Sequence, residues 1–171
     1  IFIIIAIIIV GIAISIYFLI PKAGTGTVFD ATNPAGFIQT CLEEEIESAA
    51  ETLSLQGGTI EPEHYFLYQG NKIEYLCYTA EYYKTCSVQR PLLKQHIESE
   101  IMEDISEEVE SCFNNLLENY RNERYTANLE RGKTTVELLP KRIVTNFNDY
   151  VLTVSKAETA RYDSFSVILN N

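Results

Sequence analysis

Residues Pro91–Tyr120 read PLLKQHIESEIMEDISEEVESCFNNLLENY. Leu93, Ile97, Ile101, Ile105, Val109, Cys112, Leu116 and Tyr120 recur every three or four positions. Glu98, Glu100, Glu103, Asp104, Glu107, Glu108 and Glu110 mostly fall on the other side. That is the period of an amphipathic helix, and Pro91 suits a first turn, where its missing N–H has no intrahelical partner to lose. The spacing predicts one continuous helix from about Pro91 to Tyr120, about eight turns whose apolar stripe must be buried.

Upstream, Thr32-Asn33-Pro34 is a helix-start signal. Ile38, Leu42, Ile46, Ala49 and Leu53 then follow at helical spacing, and Gln56-Gly57-Gly58 ends the run with residues suited to a left-handed cap. Between the two helices lie two extended runs, Tyr65–Tyr68 and Ile73–Tyr78. Gly70-Asn71 between them is a tight-hairpin signal. Tyr82–Cys86 extends this small sheet.

Downstream of Arg124 the pattern changes to period two. Tyr125–Glu130, Thr134–Leu139, Arg142–Phe147, Val151–Ser155 and Phe165–Leu169 read as short strands, with turns at Gly132, Pro140 and Asn148-Asp149. The last strand pairs either within this chain or with a neighbour. The expected class is α+β: an N-terminal apolar helix, two disulfide-linked amphipathic helices with a β-hairpin, then an antiparallel β-sheet. A helix–hairpin–helix region over 34–124 and a β region over 125–171 are expected to form one compact unit.

Four cysteines, Cys41, Cys77, Cys86 and Cys112, allow three connectivities. Zinc is the competing explanation, but no Cys-x-x-Cys knuckle occurs and no His lies at ligand spacing from a Cys. Cys77 and Cys86 bracket a short loop after a strand. Cys41 and Cys112 sit beside the apolar stripes of the two helices. The expected pairs are therefore Cys41–Cys112 and Cys77–Cys86.

The first twenty residues, Ile1–Ile20, carry no charge. As a helix they span about 30 Å, the thickness of a bilayer core. Pro21 ends the run, Lys22 follows at the membrane edge, and Gly24 and Gly26 make a flexible joint over 23–33. A cleavable secretory signal has a basic n-region and a shorter apolar core, and this segment has neither. Two readings remain open. One is an ordinary single-pass anchor over 1–22. The other is the core helix of a pilin-like filament, which waits in the membrane and then packs against its copies. The chain begins at Ile1 on the apolar run, without Met or a basic flank, as it would after a prepilin-type peptidase removed a short basic leader.

Ile1-Phe2-Ile3-Ile4-Ile5 resembles the membrane helix of archaeal proteins with class III (prepilin-type) signal peptides. Cys41-Leu42, Leu55-Gln56-Gly57-Gly58, Cys112-Phe113 and the strand-rich tail resemble a membrane-anchored surface family of small-genome symbiotic archaea. The resemblance covers most of the chain. It implies export, an N-terminal anchor and a disulfide joining two helices, and it brings no catalytic residues. The leader and its Gln-containing cleavage region are not in this sequence. Position five is Ile5 rather than the carboxylate usual in bacterial type IV pilins.

The formal net charge is −11, and all of it follows Ile20. A nucleic-acid partner is not expected, because phosphate binding needs clustered Lys and Arg. Neither is a polybasic membrane patch. The only histidines are His64, in Glu61-Pro62-Glu63-His64, read as an exposed strand entrance, and His96, read as partly buried beside the helical stripe. No Gly-x-Ser-x-Gly turn, Gly-rich phosphate loop or Asp-x-Asp calcium loop occurs, and Glu43-Glu44-Glu45 reads as a solvated face. No enzyme, metal or cofactor is expected. The expected function is a structural subunit of an extracellular archaeal type IV pilus-like filament. Ile1, Phe2, Ile4, Ile5, Ile8, Ile9, Ile12, Ile16 and Phe18 would pack in the core, with a hinge at Pro21, Gly24 and Gly26. The expected partners are copies of itself, the membrane before assembly, and a host or neighbouring cell surface. The alternative is a monomeric membrane-anchored adhesin or sensor.

Overall fold

The computed structural model describes residues 29–170. The expected apolar helix over 1–22 and its hinge residues lie outside the described residues. Among the described residues, no helix is long and apolar enough to cross a membrane.

The first helix, α1, spans Pro34–Gln56. Asn33 caps it by accepting from the Gly36 N–H at 3.0 Å. Gly57 ends it at φ 81°, and the Gly58 N–H returns to the Leu53 carbonyl at 2.8 Å. That bond satisfies an orphan carbonyl, and the left-handed φ strains any residue with a Cβ. Ile38, Leu42, Ile46, Ala49 and Leu53 are buried as the periodicity requires.

Strands β1 (Tyr65–Tyr68) and β2 (Asn71–Glu74) form the expected hairpin. Tyr68 pairs with Asn71, so its turn is Gln69-Gly70, one residue earlier than Gly70-Asn71. The single run expected over Ile73–Tyr78 breaks after Glu74. It resumes as β3 (Cys77–Tyr78), which pairs with β4 (Ser87–Val88) in a separate sheet. Tyr82–Cys86 is thus not a strand. It is loop, closed at its base by a disulfide.

The expected eight-turn helix is divided at Ile105 into α2 (Leu93–Asp104) and α3 (Ser106–Asn122). Ile105 itself has φ −83° and ψ 1°, outside the helical well. The division lets one apolar stripe serve two surfaces. Glu98 of α2 reaches the sheet edge, while Phe113 of α3 lies on the sheet face.

The remaining strands are β5 (Thr126–Glu130), β6 (Lys133–Leu139), β7 (Arg142–Ser155) and β8 (Thr159–Asn170), all joined antiparallel. Five short strands were expected. Instead β7 runs unbroken through Asn148-Asp149, with β6 and β5 end to end along one side and β8 along the other. The last strand therefore pairs within this chain. Asn148-Asp149 is part of a bulge rather than a turn: Asn148–Tyr150 opposes the single residue Ser164. The bulge changes which parity faces inward, from Thr145 and Phe147 to Tyr150, Leu152 and Val154.

Gly132 lies where the β5–β6 ribbon bends past this bulge. A Cβ there would sit 2.0 Å from the Asn148 carbonyl oxygen and 2.6 Å from the Asp149 carbonyl carbon. Both are backbone atoms that cannot swing aside. Gly132→Ala is expected to destabilise the fold by about 3 kcal/mol, the upper end of overpacking costs. Urea denaturation checks this through a lowered midpoint at unchanged slope.

Helices α1 and α3 cover the inner face of the sheet. Phe113 is central, with ring centroids 5.3 Å from Phe147, 4.9 Å from Tyr150 and 5.5 Å from Phe165. Helix side chains also occupy positions on both sheet edges. Gln39 of α1 donates to the Ile168 carbonyl at 3.1 Å and accepts from the Ile168 N–H at 2.9 Å. Glu98 of α2 accepts from the Leu138 N–H at 2.8 Å. Pairing those edge groups removes them as templates for a stray strand.

One core group is left over. Thr145 Oγ1 is buried without a hydrogen-bond partner among the described residues. Thr145→Val keeps the shape and removes the unsatisfied hydroxyl, so it is expected to stabilise the protein by about 1 kcal/mol. The check is a raised denaturation midpoint. A lowered one would mean that the hydroxyl is solvated or bonded in solution.

Candidate interaction surface

The structure places the four cysteines in two pairs. Cys41–Cys112 ties α1 to α3 with Cα atoms 6.2 Å apart, and Cys77–Cys86 closes the loop between β3 and β4 at 5.4 Å. Both separations suit a disulfide. The filament-core residues from Ile1 to Phe18 and the hinge at Pro21, Gly24 and Gly26 fall outside the described residues.

The domain has two ends. At one, Phe29 packs edge-on against Tyr120 at 4.9 Å, and the Tyr120 hydroxyl donates to the Ala31 carbonyl at 2.8 Å. Burial holds the Tyr120 phenol far above its usual range, with the neighbouring Tyr162 and Tyr125 adding to the shift. The 23 residues of α1 then carry the chain about 34 Å to the other end, at Gly57. The segment 57–92 builds that far end before α2 begins the return.

A polar cluster holds the far end on the helices. Thr59 Oγ1 donates to Glu74 Oε2 and lies 2.8 Å from His96 Nε2. Glu74 also pairs with Arg90 Nη2 at 3.2 Å. Glu100 accepts from the Ile60 N–H at 2.9 Å and lies 3.7 Å from the same His96 nitrogen. A hydroxyl beside a histidine resembles a nucleophile and its base. Here, however, Glu100 approaches Nε2 rather than Nδ1, and a carboxylate already occupies the hydroxyl, which differs from a nucleophile–His–carboxylate relay. The cluster joins the segment after α1 to β2 and α2, so it positions the loops. Among the described residues, no group of three or more His, Cys, Asp and Glu side chains is arranged to hold a metal ion.

Beneath the hairpin runs an apolar groove of about 570 Å³, lined by Leu53, Ile73, Leu76, Leu93, Ile97 and Ile143 among others. Leu93 and Ile97 belong to the stripe that the periodicity assigned to the core, but they are only half-buried.

The outer face of this end is aromatic. Of the fourteen exposed large apolar or aromatic side chains among the described residues, eleven lie between Tyr65 and Leu92. Single exposed apolar residues need no explanation, whereas a contiguous patch marks a contact surface. Tyr82 and Tyr83, inside the disulfide loop, are 104% and 82% exposed. Tyr78 stacks on His64 at 4.2 Å and lies 6.2 Å from Tyr75 in a near-parallel arrangement. His64 is exposed, as its position before the strand suggested. Glu81 pairs with Lys84 at 2.7 Å, and that ammonium holds the Glu81 carboxyl below the usual carboxylate range. The visible sign of this surface in the sequence is the crowding of tyrosines between Tyr65 and Tyr83, read there only as strand-forming residues.

Comparison with family models, with curated proteins and with solved structures returns no match to this chain.

Proposed function

We propose that the chain is a structural subunit of an extracellular archaeal type IV pilus-like filament. The apolar runs Ile1–Ile20 pack in its core and the acidic domains form its outer surface. The observation that carries the reading is a run of twenty uncharged residues joined to a domain whose core is filled from Phe37 to Val167 by its own residues. That run must be covered by lipid or by other copies, since each Ile gains roughly 1.5–3 kcal/mol on burial. Cys41–Cys112 and Cys77–Cys86 support an oxidising compartment outside the cytoplasm. Immunogold labelling of intact cells tests the proposal: label along surface filaments supports it, and label confined to the cell envelope contradicts it.

The second reading, a membrane-anchored adhesin or sensor, is favoured by the aromatic surface at the end of α1 remote from Phe29. A surface displayed there suits contact with something outside the cell, whether or not the anchors assemble.

A further inference from the structure

We infer that the groove beneath the hairpin, together with the cleft that continues it, binds a single-chain amphiphile whose head carries both a phosphate and an ammonium. The site lies apart from Ile1–Ile20 and does not rest on the filament reading.

The groove opens into a second cavity of about 530 Å³, between the C-terminal half of α1 and the β6–β7 turn. Ala50, Ser54, Leu138 and Ile143 line both, so the two are continuous. Their chemistry differs. The groove is aliphatic, walled by Leu53, Ile73, Leu76, Leu93 and Ile97. Leu93 and Ile97 stand on the apolar stripe of α2 yet are only half-buried, and Leu76 is 59% exposed. A hydrocarbon tail laid there would complete the burial that the stripe begins. At about 30 Å³ per heavy atom, the share of a water in the liquid, a groove of 570 Å³ holds one tail of roughly 19 carbons and not two.

The outer cleft carries the charge. Glu47 and Glu51 line it from α1, and Lys141 and Arg142 from the β6–β7 turn. None of the four has an ion-pair partner among the described residues, although both signs line one cleft. A purely anionic head would meet the two carboxylates and the field of a chain of net charge −11. A purely cationic head would meet Lys141 and Arg142. A head with both signs places its phosphate at Lys141 and Arg142 and its ammonium at Glu47 and Glu51, and offers no net charge for the long-range field to repel. An apolar wall with a few convergent polar groups is the usual make-up of a small-molecule site. Lys141 adds a further sign. Leu139 pairs with Arg142, so Pro140-Lys141 is the turn, and Lys141 sits there at φ 63°, where Gly or Asn is the easy choice. Strain of that kind gathers at ligand sites. Such a site would give the sensor reading its ligand class.

The test uses the full chain reconstituted in phosphatidylcholine vesicles, with a lysophosphatidylethanolamine that bears a photoreactive diazirine near the end of its tail. After illumination, peptide mass spectrometry is expected to place adducts around Leu76, Leu93 or Ile97, and unlabelled lysophosphatidylethanolamine should compete for them. Adducts on Ile1–Ile20 report only tails dissolved in the bilayer. Lys141→Gln/Arg142→Gln is expected to reduce groove labelling about tenfold, as loss of charge-assisted hydrogen bonds does. Glu47→Gln/Glu51→Gln should act in the same direction, and Leu76→Asp should abolish the labelling by setting a carboxylate in the path of the tail. All five positions are exposed, so far-ultraviolet circular dichroism and the two disulfides should be unchanged. Adducts confined to Ile1–Ile20, equal groove labelling by a diazirine alcohol that lacks the head, or labelling that the four charge substitutions leave intact would each overturn the proposal. Stronger labelling by a diazirine fatty acid would overturn it too, by assigning the site to an anion. Groove labelling of a protein that forms no filaments would leave this inference standing and remove the filament reading.

Discussion

The Cys41→Ala/Cys112→Ala variant is expected to lose about 4 kcal/mol of stability, where Cys77→Ala/Cys86→Ala loses about 2.5 kcal/mol. The first bridge spans 71 residues and the second spans 9. A cross-link restricts the unfolded chain, and the entropy it removes grows with the logarithm of the loop it closes. The longer bridge also joins the two helices that cover the sheet, with Cys112 itself buried in the core beside Phe113 and Leu116. Alanine avoids placing an unpaired hydroxyl there. Denaturation with and without reductant measures both losses. A larger loss from the shorter bridge would show that the far end, rather than the helix pair, limits the fold.

The second large effect concerns assembly. Ile4→Asp or Ile8→Asp is expected to abolish filaments. A carboxylate at the centre of an apolar helix costs about 3 kcal/mol even by lenient insertion scales, and far more where no water or cation can reach it. A filament repeats that cost in every subunit. The folded domain should be untouched, because its buried core residues run from Phe37 onward, with Phe29 and Ala31 packed against them, all outside the apolar run. The expected result is a protein with intact disulfides that no longer polymerises, scored by sedimentation and electron microscopy. Assembly of either variant would place the apolar run outside the filament core.

The parts of the fold that local chemistry decides were legible. The bounds of α1 follow from Asn33, Pro34 and Gly57, each of which acts within a few residues. The two disulfides followed because helix phase put Cys41 and Cys112 beside apolar stripes and a short loop separated Cys77 from Cys86. The break at Ile105 was not legible, since the stripe continues unaltered on both sides, and only the demand to meet the β6 edge and the sheet face together divides the helix. Asn148-Asp149 read as a turn because those residues favour turns, yet the inward positions change from Thr145 and Phe147 to Tyr150 and Leu152, which is the mark of a bulge. The Thr59–Glu74–His96–Glu100 cluster joins segments with no common period. The aromatic end was misread for a different reason. Alternating Tyr, Phe and Ile signal a strand, and a strand with such residues is ordinarily half-buried, whereas here Phe66 and Leu67 are 55% and 62% exposed.

The central claim is that Ile1–Ile20 serves as the packed core of a polymer. Electron cryomicroscopy of the native protein, recovered from the cell surface without detergent, tests it most directly. The account predicts filaments with an axial bundle of apolar helices, one per subunit, ringed by domains that match residues 29–170. Recovery of the protein only from the detergent-solubilised membrane, as dispersed single copies, would contradict it.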